Sequence, residues 1–375
     1  MGISSARCKA YPDPDVATED IMKFLEATTD DPDIAAGERA FTLGEGEEEE
    51  EEEEPTVEEV IEVTWDASFN ENAYIKAKFG SSCYAPGMPV NIPKRLLDKP
   101  VLARRECAQR LPQVITLGVR KCGTGALQHF LTVHPNITGP ILEVHFFDTS
   151  KTFKTGYDAY LKQMPFTTPY QLTLEKTPAY LFRPHDLPKI ISRDMPDTKF
   201  IISLCDPVRR AVSDYLEYNR KRTSSLEVFG LHKYIAETFE ASIMHREVGL
   251  DTLNEIVDLG VYIKHLARWY DYIPRDRIHL VDGGKMSEDP TAELRRIETF
   301  LGLQHFFREE HFDFNSERGL HCMNFPRNHC LPLNKGREHP EVDDKVMQEL
   351  RDYYRPFDRL LAETVRRNFT WMSQH

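Results

Sequence analysis

The pattern of apolar and polar positions divides the chain at about residue 111. Beyond that point short apolar, β-branched runs recur as VITLGV (114–119), QLTLEKT (171–177), KFIISLCD (199–206) and RIHLVDG (277–283). Runs of this length, bounded by turn residues, predict buried strands. Between them apolar residues return every three or four positions. That spacing predicts helices over ALQHFLTVH (126–134), PVRRAVSDYLEYNRKR (207–222), GVYIKHLARWYDYI (260–273) and DPTAELRRIETFLGL (289–303), with a last helix from about Glu341 to Arg367. Pro207 suits a first helical position. Strands alternating with helices imply an α/β domain, a central and mostly parallel sheet flanked by helices. In such sheets ligands sit at the carboxyl ends of the strands, so the loops leaving the strands carry the candidate chemistry. Residues 61–110 sustain neither period and read as an extended arm or linker, and no internal repeat is visible.

Charge separates the chain in the same way. The formal charge of −14 over 375 residues is concentrated in residues 1–60, which hold 4 basic and 20 acidic residues. The remaining residues carry 43 basic and 41 acidic groups, so the α/β part is close to neutral. Glu47 to Glu54 is an unbroken glutamate run. A block of like charge repels itself and cannot bury a face, so residues 1–60 are expected to be an acidic disordered tail.

No stretch reaches the 18 or so consecutive apolar residues of a membrane span, and the first residues lack the pattern of a signal peptide. Taken alone, these features describe a soluble intracellular chain. Of the seven cysteines, Cys322 and Cys330 form a close pair in an aromatic and polar loop without zinc-ligand spacing, which suggests a disulfide hairpin and an oxidising compartment. The triplets Asn136-Ile-Thr and Asn368-Phe-Thr are N-glycosylation acceptor patterns compatible with a luminal glycoprotein.

Four strand exits concentrate reactive side chains. The first runs into Arg120-Lys121-Cys122-Gly123-Thr124-Gly125 and then a helix. Small residues, a helix start and a lysine together form a shortened phosphate loop, or else an ordinary strand-to-helix turn. Next comes Glu143-Val-His-Phe-Phe-Asp148. On a short strand, alternation would turn Glu143, His145 and Asp148 toward one side, where the carboxylate is a candidate general base. QLTLEKT delivers Lys176 to the same rim. The fourth exit, Cys205-Asp206-Pro207-Val208-Arg209-Arg210 with Ser213 one turn on, is a second candidate anion site. Lys335-Gly336-Arg337-Glu338-His339 is a basic loop suited to covering an anionic nucleotide. Lysines, a carboxylate and a phosphate-type loop on adjacent strand ends suit transfer of an anionic group to a hydroxyl.

In order along the chain, PQVITLGVRKCGTGAL, EVHFFD, YLKQMPF, LTLEKTPAY, DPVRRAVSDY, HLVDGGKM, the Cys322 to Cys330 segment and KGREHPEVD resemble the heparan sulfate glucosamine 3-O-sulfotransferase family. The resemblance covers roughly Leu111 to Trp371 and leaves residues 1–110 outside it. It implies a P-loop-like sulfotransferase domain over 111–375 that moves a sulfo group from 3′-phosphoadenylyl sulfate (PAPS) to the 3-hydroxyl of glucosamine in heparan sulfate. It further implies Glu143 as base, Lys121 as the stabiliser of the transferring group, Lys176 as its assistant, and His145 and Asp148 as orienting groups that meet the sugar. The donor would lie against Lys121, Cys122, Gly123, Thr124 and Gly125, with its 3′-phosphate at Cys205 and Ser213, beneath Lys335 to His339. The implied setting is the Golgi lumen. Neither a metal nor a nucleic acid is called for by this scheme.

Three positions depart from the family pattern. Cys122 stands where the family has glycine, Gly125 where it has arginine, and Cys205 where a strand-end arginine would hold phosphate. Gly319-Leu320-His321-Cys322 also loses an aromatic hydroxyl that usually precedes the cysteine. Loss of a bidentate arginine predicts weaker PAPS binding unless Arg209 or Arg210 compensates. The alternative reading is a catalytically impaired relative that binds heparan sulfate. A cytosolic transferase for small molecules is a third reading, supported by the absent anchor alone.

Overall fold

The computed structural model describes residues 71–87, 95–223, 235–245, 247–317, 319–326, 330 and 341–373. The acidic tail, the start of the arm and the basic loop Lys335 to His339 lie outside the described residues.

Five strands form the central sheet: β1 (Val114–Gly118), β2 (Ile137–Thr138), β3 (Leu172–Lys176), β4 (Lys199–Leu204) and β5 (Ile278–Asp282). Their order is β2-β3-β1-β4-β5 and all four pairings are parallel. The four strands expected from apolar runs therefore all form, and the sheet is parallel throughout. Every residue of β1 is buried, as its position at the centre of the sheet requires.

Alternation along the strands gives the sheet two apolar faces. Ile115 and Leu117 of β1, with Phe200, Ile202 and Leu204 of β4, join one core. That core is completed by α3 (Pro207–Thr223), α4 (Tyr262–Tyr270) and α6 (Asp344–Val365). Val114, Leu174, Ile201 and Val281 face the other way, into a core shared with α2 (Thr124–Val133) and α5 (Pro290–Leu301). Each of these five helices overlaps a segment where the apolar spacing predicts one, α2 starting two residues earlier than expected. Asp289 caps α5 by accepting from Thr291 and Ala292 N–H, and Gly302 closes it in the left-handed conformation.

The arm is not extended where it is described. Residues Glu71–Gly80 form a helix, α1, and Lys99–Arg104 a second short one. A Cys83–Cys107 disulfide, Cα–Cα 5.9 Å, joins the segment between them to the strand Ala108–Gln109. The buried positions of α1 are Tyr74 and Lys78, one turn apart. A lysine reads as polar in the sequence, so the buried stripe was invisible there. Lys78 Nζ donates to the carbonyls of Thr132, His134 and Ile137 at 2.6–2.9 Å, and Tyr74 Oη donates to Val133 O at 2.7 Å. Burial pulls the Lys78 pKa down. Three carbonyl acceptors nevertheless need three N–H donors, which only the ammonium provides. The arm thus closes the C-terminal end of α2.

Lys78→Met should lower stability by about 2–3 kcal/mol, because it strands buried carbonyls that lose a charged donor. A thermal midpoint unchanged from that of the parent chain would contradict this role.

Candidate active site

β1 lies between β3 and β4, and the chain leaves it toward β2 on one side before crossing to β4 on the other. A crevice opens at such a switch point, over the carboxyl end of β1. The exit of β1 packs closely on the exit of β3: a Cβ at Gly118 would stand 2.9 Å from Pro178 O, and Leu181 N–H donates to Leu117 O at 2.9 Å. Lys121 and Gly123 both adopt positive φ, 73° and 76°, so the loop turns sharply before α2 begins. The first-turn N–H groups of a helix have no intrahelical partners and favour an anion. A Cβ added at Gly123 would meet nothing within 4 Å, so open space faces the helix start.

The candidate carboxylate lies at the same edge. Residues 143–148 form a turn, not the short strand expected from alternation, and β2 ends earlier at Thr138. His145 has φ +50°, and this turn, rather than a pleat, brings the three side chains together. Glu143 Oε1 accepts from Lys176 Nζ, and Glu143 Oε2 lies 3.3 Å from His145 Nε2. His145 Nδ1 in turn lies 2.6 Å from Asp148 Oδ2. The sequence of groups is ammonium, carboxylate, imidazole, carboxylate.

Electrostatics fixes the charge states. The hydrogen bond to Asp148 and then that to Glu143 raise the His145 pKa to about 10, against the opposing effect of burial. His145 is therefore an imidazolium at neutral pH. Burial alone would raise the Glu143 pKa, but the His145 hydrogen bond and the Lys176 charge outweigh it and bring the value to about 2. The sign of the linkage differs at the two ends. The raised His145 pKa contributes stability that is complete below its ordinary 6.5 and lost as pH rises through about 10. The depressed Glu143 pKa contributes above its ordinary 4.5 and is lost as pH falls toward about 2.

The sequence reading missed the groups that hold this turn. Thr177 Oγ1 accepts from His145 N–H at 3.3 Å and donates to the buried Glu175 at 2.6 Å. Burial raises the Glu175 pKa to about 7, against the effect of its hydrogen bonds from Thr177 and Tyr160. Tyr180 Oη accepts from the N–H groups of Phe146 and Phe147, at 2.9 and 3.3 Å. Thr152 Oγ1 donates to the carbonyls of His145 and Phe146. Three of these residues, Glu175, Thr177 and Tyr180, come from one stretch that includes Lys176. A hydroxyl-rich strand exit was the available signal.

Cations on the opposite side of the crevice are matched by acids. Lys121 Nζ lies 3.7 Å from Glu217 of α3. Arg120 bonds to Asp214 and Glu255 at 2.9 and 2.6 Å and lies over the rings of Phe182 and Tyr218. Arg210 is buried, bonded to Asp214 and to Ile256 O, so its side chain is turned into the core and does not replace the missing strand-end arginine. Arg209 is exposed, and Ser213 is half-buried in α3. Cys205 does not stand alone, because it forms a disulfide with Cys122, Cα–Cα 5.4 Å. The expected Cys322–Cys330 disulfide is present, at the end of the antiparallel hairpin Phe312–Asn315 and Leu320–Met323. Beside Glu143 an open cleft of about 450 Å³ is lined by Tyr84, Ile141, Leu142, Gln163 and Met164 among others.

The parallel sheet, its loop-to-helix junction and the charged turn at one edge define a P-loop-like α/β domain. Residues 111–366 match the family model described as the sulfotransferase domain. The chain is 39% identical over 271 residues to heparan sulfate glucosamine 3-O-sulfotransferase 3A1 of Mus musculus, covering 71% of this chain and 66% of that protein. It is 35% identical over 271 residues to the Homo sapiens 3-O-sulfotransferase 5, covering 71% of this chain and 75% of that protein. A sulfotransferase structure from Alicyclobacillus acidocaldarius shares the fold, with TM-score 0.51, 20% identity, and coverage of 70% of this chain and 99% of that one. This chain belongs to the sulfotransferase family and, within it, to the heparan sulfate glucosamine 3-O-sulfotransferases. It spans just under two thirds of the length of the 3A1 relative.

Two outcomes follow from this geometry. In a side-chain NMR titration His145 should stay protonated to about pH 10, and Asp148→Asn should lower that midpoint; an unchanged midpoint would show that Asp148 does not set it. Tyr180→Phe should cost about 1–3 kcal/mol in stability by leaving two backbone N–H groups without their acceptor, which chemical denaturation would measure.

Proposed function

We propose that this protein transfers a sulfo group from PAPS to the 3-hydroxyl of glucosamine units in heparan sulfate. The observation that carries the reading is the Lys176–Glu143–His145–Asp148 chain, whose carboxylate reaches a cleft beside the crevice of a sulfotransferase domain. The donor fits the residues present, since the open helix start at Gly123, the turn at Lys121 and the N–H groups of α2 suit a phosphosulfate. When bound, PAPS supplies the sulfo group and leaves as adenosine 3′,5′-bisphosphate.

Glu143 accepts the proton of the attacking hydroxyl as the new S–O bond forms. Paired with both His145 and Lys176 it is a weak base, so one pairing has to loosen. Movement of Lys176 Nζ from Glu143 toward the transferring oxygens would raise the basicity of the carboxylate and stabilise the charge developing opposite it. Lys121 exchanges Glu217 for the bridging oxygen of the donor. His145, held between two carboxylates with both ring N–H groups engaged, keeps the base aimed. Positioning and electrostatics then carry the reaction, as in phosphoryl transfer. Disulfides at Cys83–Cys107, Cys122–Cys205 and Cys322–Cys330 support an oxidising compartment, in keeping with the Golgi lumen. Among the described residues no helix is long and apolar enough to cross a membrane.

A second reading is a binder of heparan sulfate without transfer. It is favoured by the acids that occupy Arg120 and Lys121 and by the loss of arginine at position 205. Labelled sulfo transfer from PAPS to heparan sulfate separates the two. Transfer by the parent chain, with kcat reduced about 10²–10⁴-fold in Glu143→Gln, is the expected result. Tight heparan sulfate binding without transfer would establish the second reading, and full activity in Glu143→Gln would remove Glu143 as base.

A further inference from the structure

Two of the residues that depart from the family pattern, Cys122 in the donor loop and Cys205 at the β4 exit, are bonded to each other. Cys122 follows Lys121 and is 3% exposed; Cys205 is half-buried immediately beyond β4. Their Cα atoms are 5.4 Å apart, within the usual disulfide span. Further contacts join the same two segments. Val119 N–H donates to Ser203 O at 3.0 Å, and Ser203 Oγ donates to Cys122 O at 2.6 Å. Tyr262 of α4 backs the pair from below, donating to Cys205 O at 2.7 Å with its hydroxyl 3.6 Å from Cys122 Sγ.

Read separately, each substitution weakens an anion site: one adds a side chain to a tight loop and the other removes a cation. Together they add a covalent tie between the loop and the β4 exit. The basic side chains at this edge do not tie the loop to β4, because Arg120 and Arg210 are bonded to Asp214, Glu255 and Ile256 O. We propose that the Cys122–Cys205 disulfide is a positioning element of the donor site. It locks the Lys121 turn and the start of α2 against the β4 exit, so that affinity for the nucleotide depends on the bond being closed. Preorganising a loop in its bound form raises affinity by lowering the ordering cost of binding. This inference rests on the donor site proposed above.

The test uses adenosine 3′,5′-bisphosphate as probe, with the full chain. Peptide mapping without reductant should recover Cys122 joined to Cys205. Calorimetry should show C122S/C205S binding the bisphosphate about tenfold or more weakly than the parent, as expected of lost preorganisation. KM for PAPS should rise while KM for heparan sulfate holds. A merely structural bond would lower the thermal midpoint of the variant but leave the nucleotide affinity of the folded protein unchanged, and that result overturns the proposal. So does recovery of Cys122 and Cys205 as free thiols. If the parent itself fails to bind the bisphosphate, the donor site is wrong; if parent and variant bind alike, the positioning role alone is wrong. Should C122S/C205S not fold, dithiothreitol titration of the parent replaces it. Each dithiol passes two electrons to the Cys122–Cys205 bond, closing to its own cyclic disulfide and leaving two cysteine thiols. Affinity should then fall in step with alkylation at these two positions; affinity retained with both thiols open overturns the proposal.

Discussion

Everything in the site depends on the position of β1 between β3 and β4. A parallel sheet sends all its strands toward one edge, and the change of direction after β3 leaves room there for a ligand. From that one arrangement Lys121, Lys176 and Cys205, which are distant in the chain, are delivered to the same edge of the sheet. The apolar residues of β1 contribute nothing chemical. Their burial on both faces fixes the place from which the chemistry projects.

At that edge the protein places charges in sequence, and each one sets the next. Asp148 makes His145 an imidazolium, the imidazolium and Lys176 keep Glu143 ionised, and the backbone of the turn is held by Thr177, Tyr180 and Thr152. An acid between two cations is ready in charge but low in basicity. Its strength is therefore under the control of whatever draws a cation away. Across the crevice the pairing is repeated, with Asp214 and Glu255 holding Arg120 and Glu217 beside Lys121.

Much of this was legible in the sequence. The strands and long helices follow from apolar periodicity, because a two-sided sheet demands continuous apolar runs and its covering helices demand amphipathic ones. Glu143, His145, Asp148 and Lys176 were singled out by their position beyond strands and do lie together, although a left-handed residue at His145 gathers the first three, not strand alternation. Some of what was missed exists only across long sequence separations. Cys122 and Cys205 are 83 residues apart, and only the adjacency of β1 and β4 makes them a pair. Arg210 looked available because an arginine near a helix start usually faces solvent; here Asp214, one turn later, draws it inward. The helix α1 escaped notice because its inward face is carried by a lysine.

That lysine gives α2 an unusual electrical form. Lys78 sets its ammonium against the Thr132 and His134 carbonyls at one end of the helix, while the other end opens on the crevice. A helix with a cation at its negative pole has half of its dipole already terminated, and the unterminated half faces the loop where an anion is expected to bind. The arm, which lies outside the matched sulfotransferase range, thus completes the far end of the helix whose start faces the crevice. A boundary drawn where the family match begins would remove that cap.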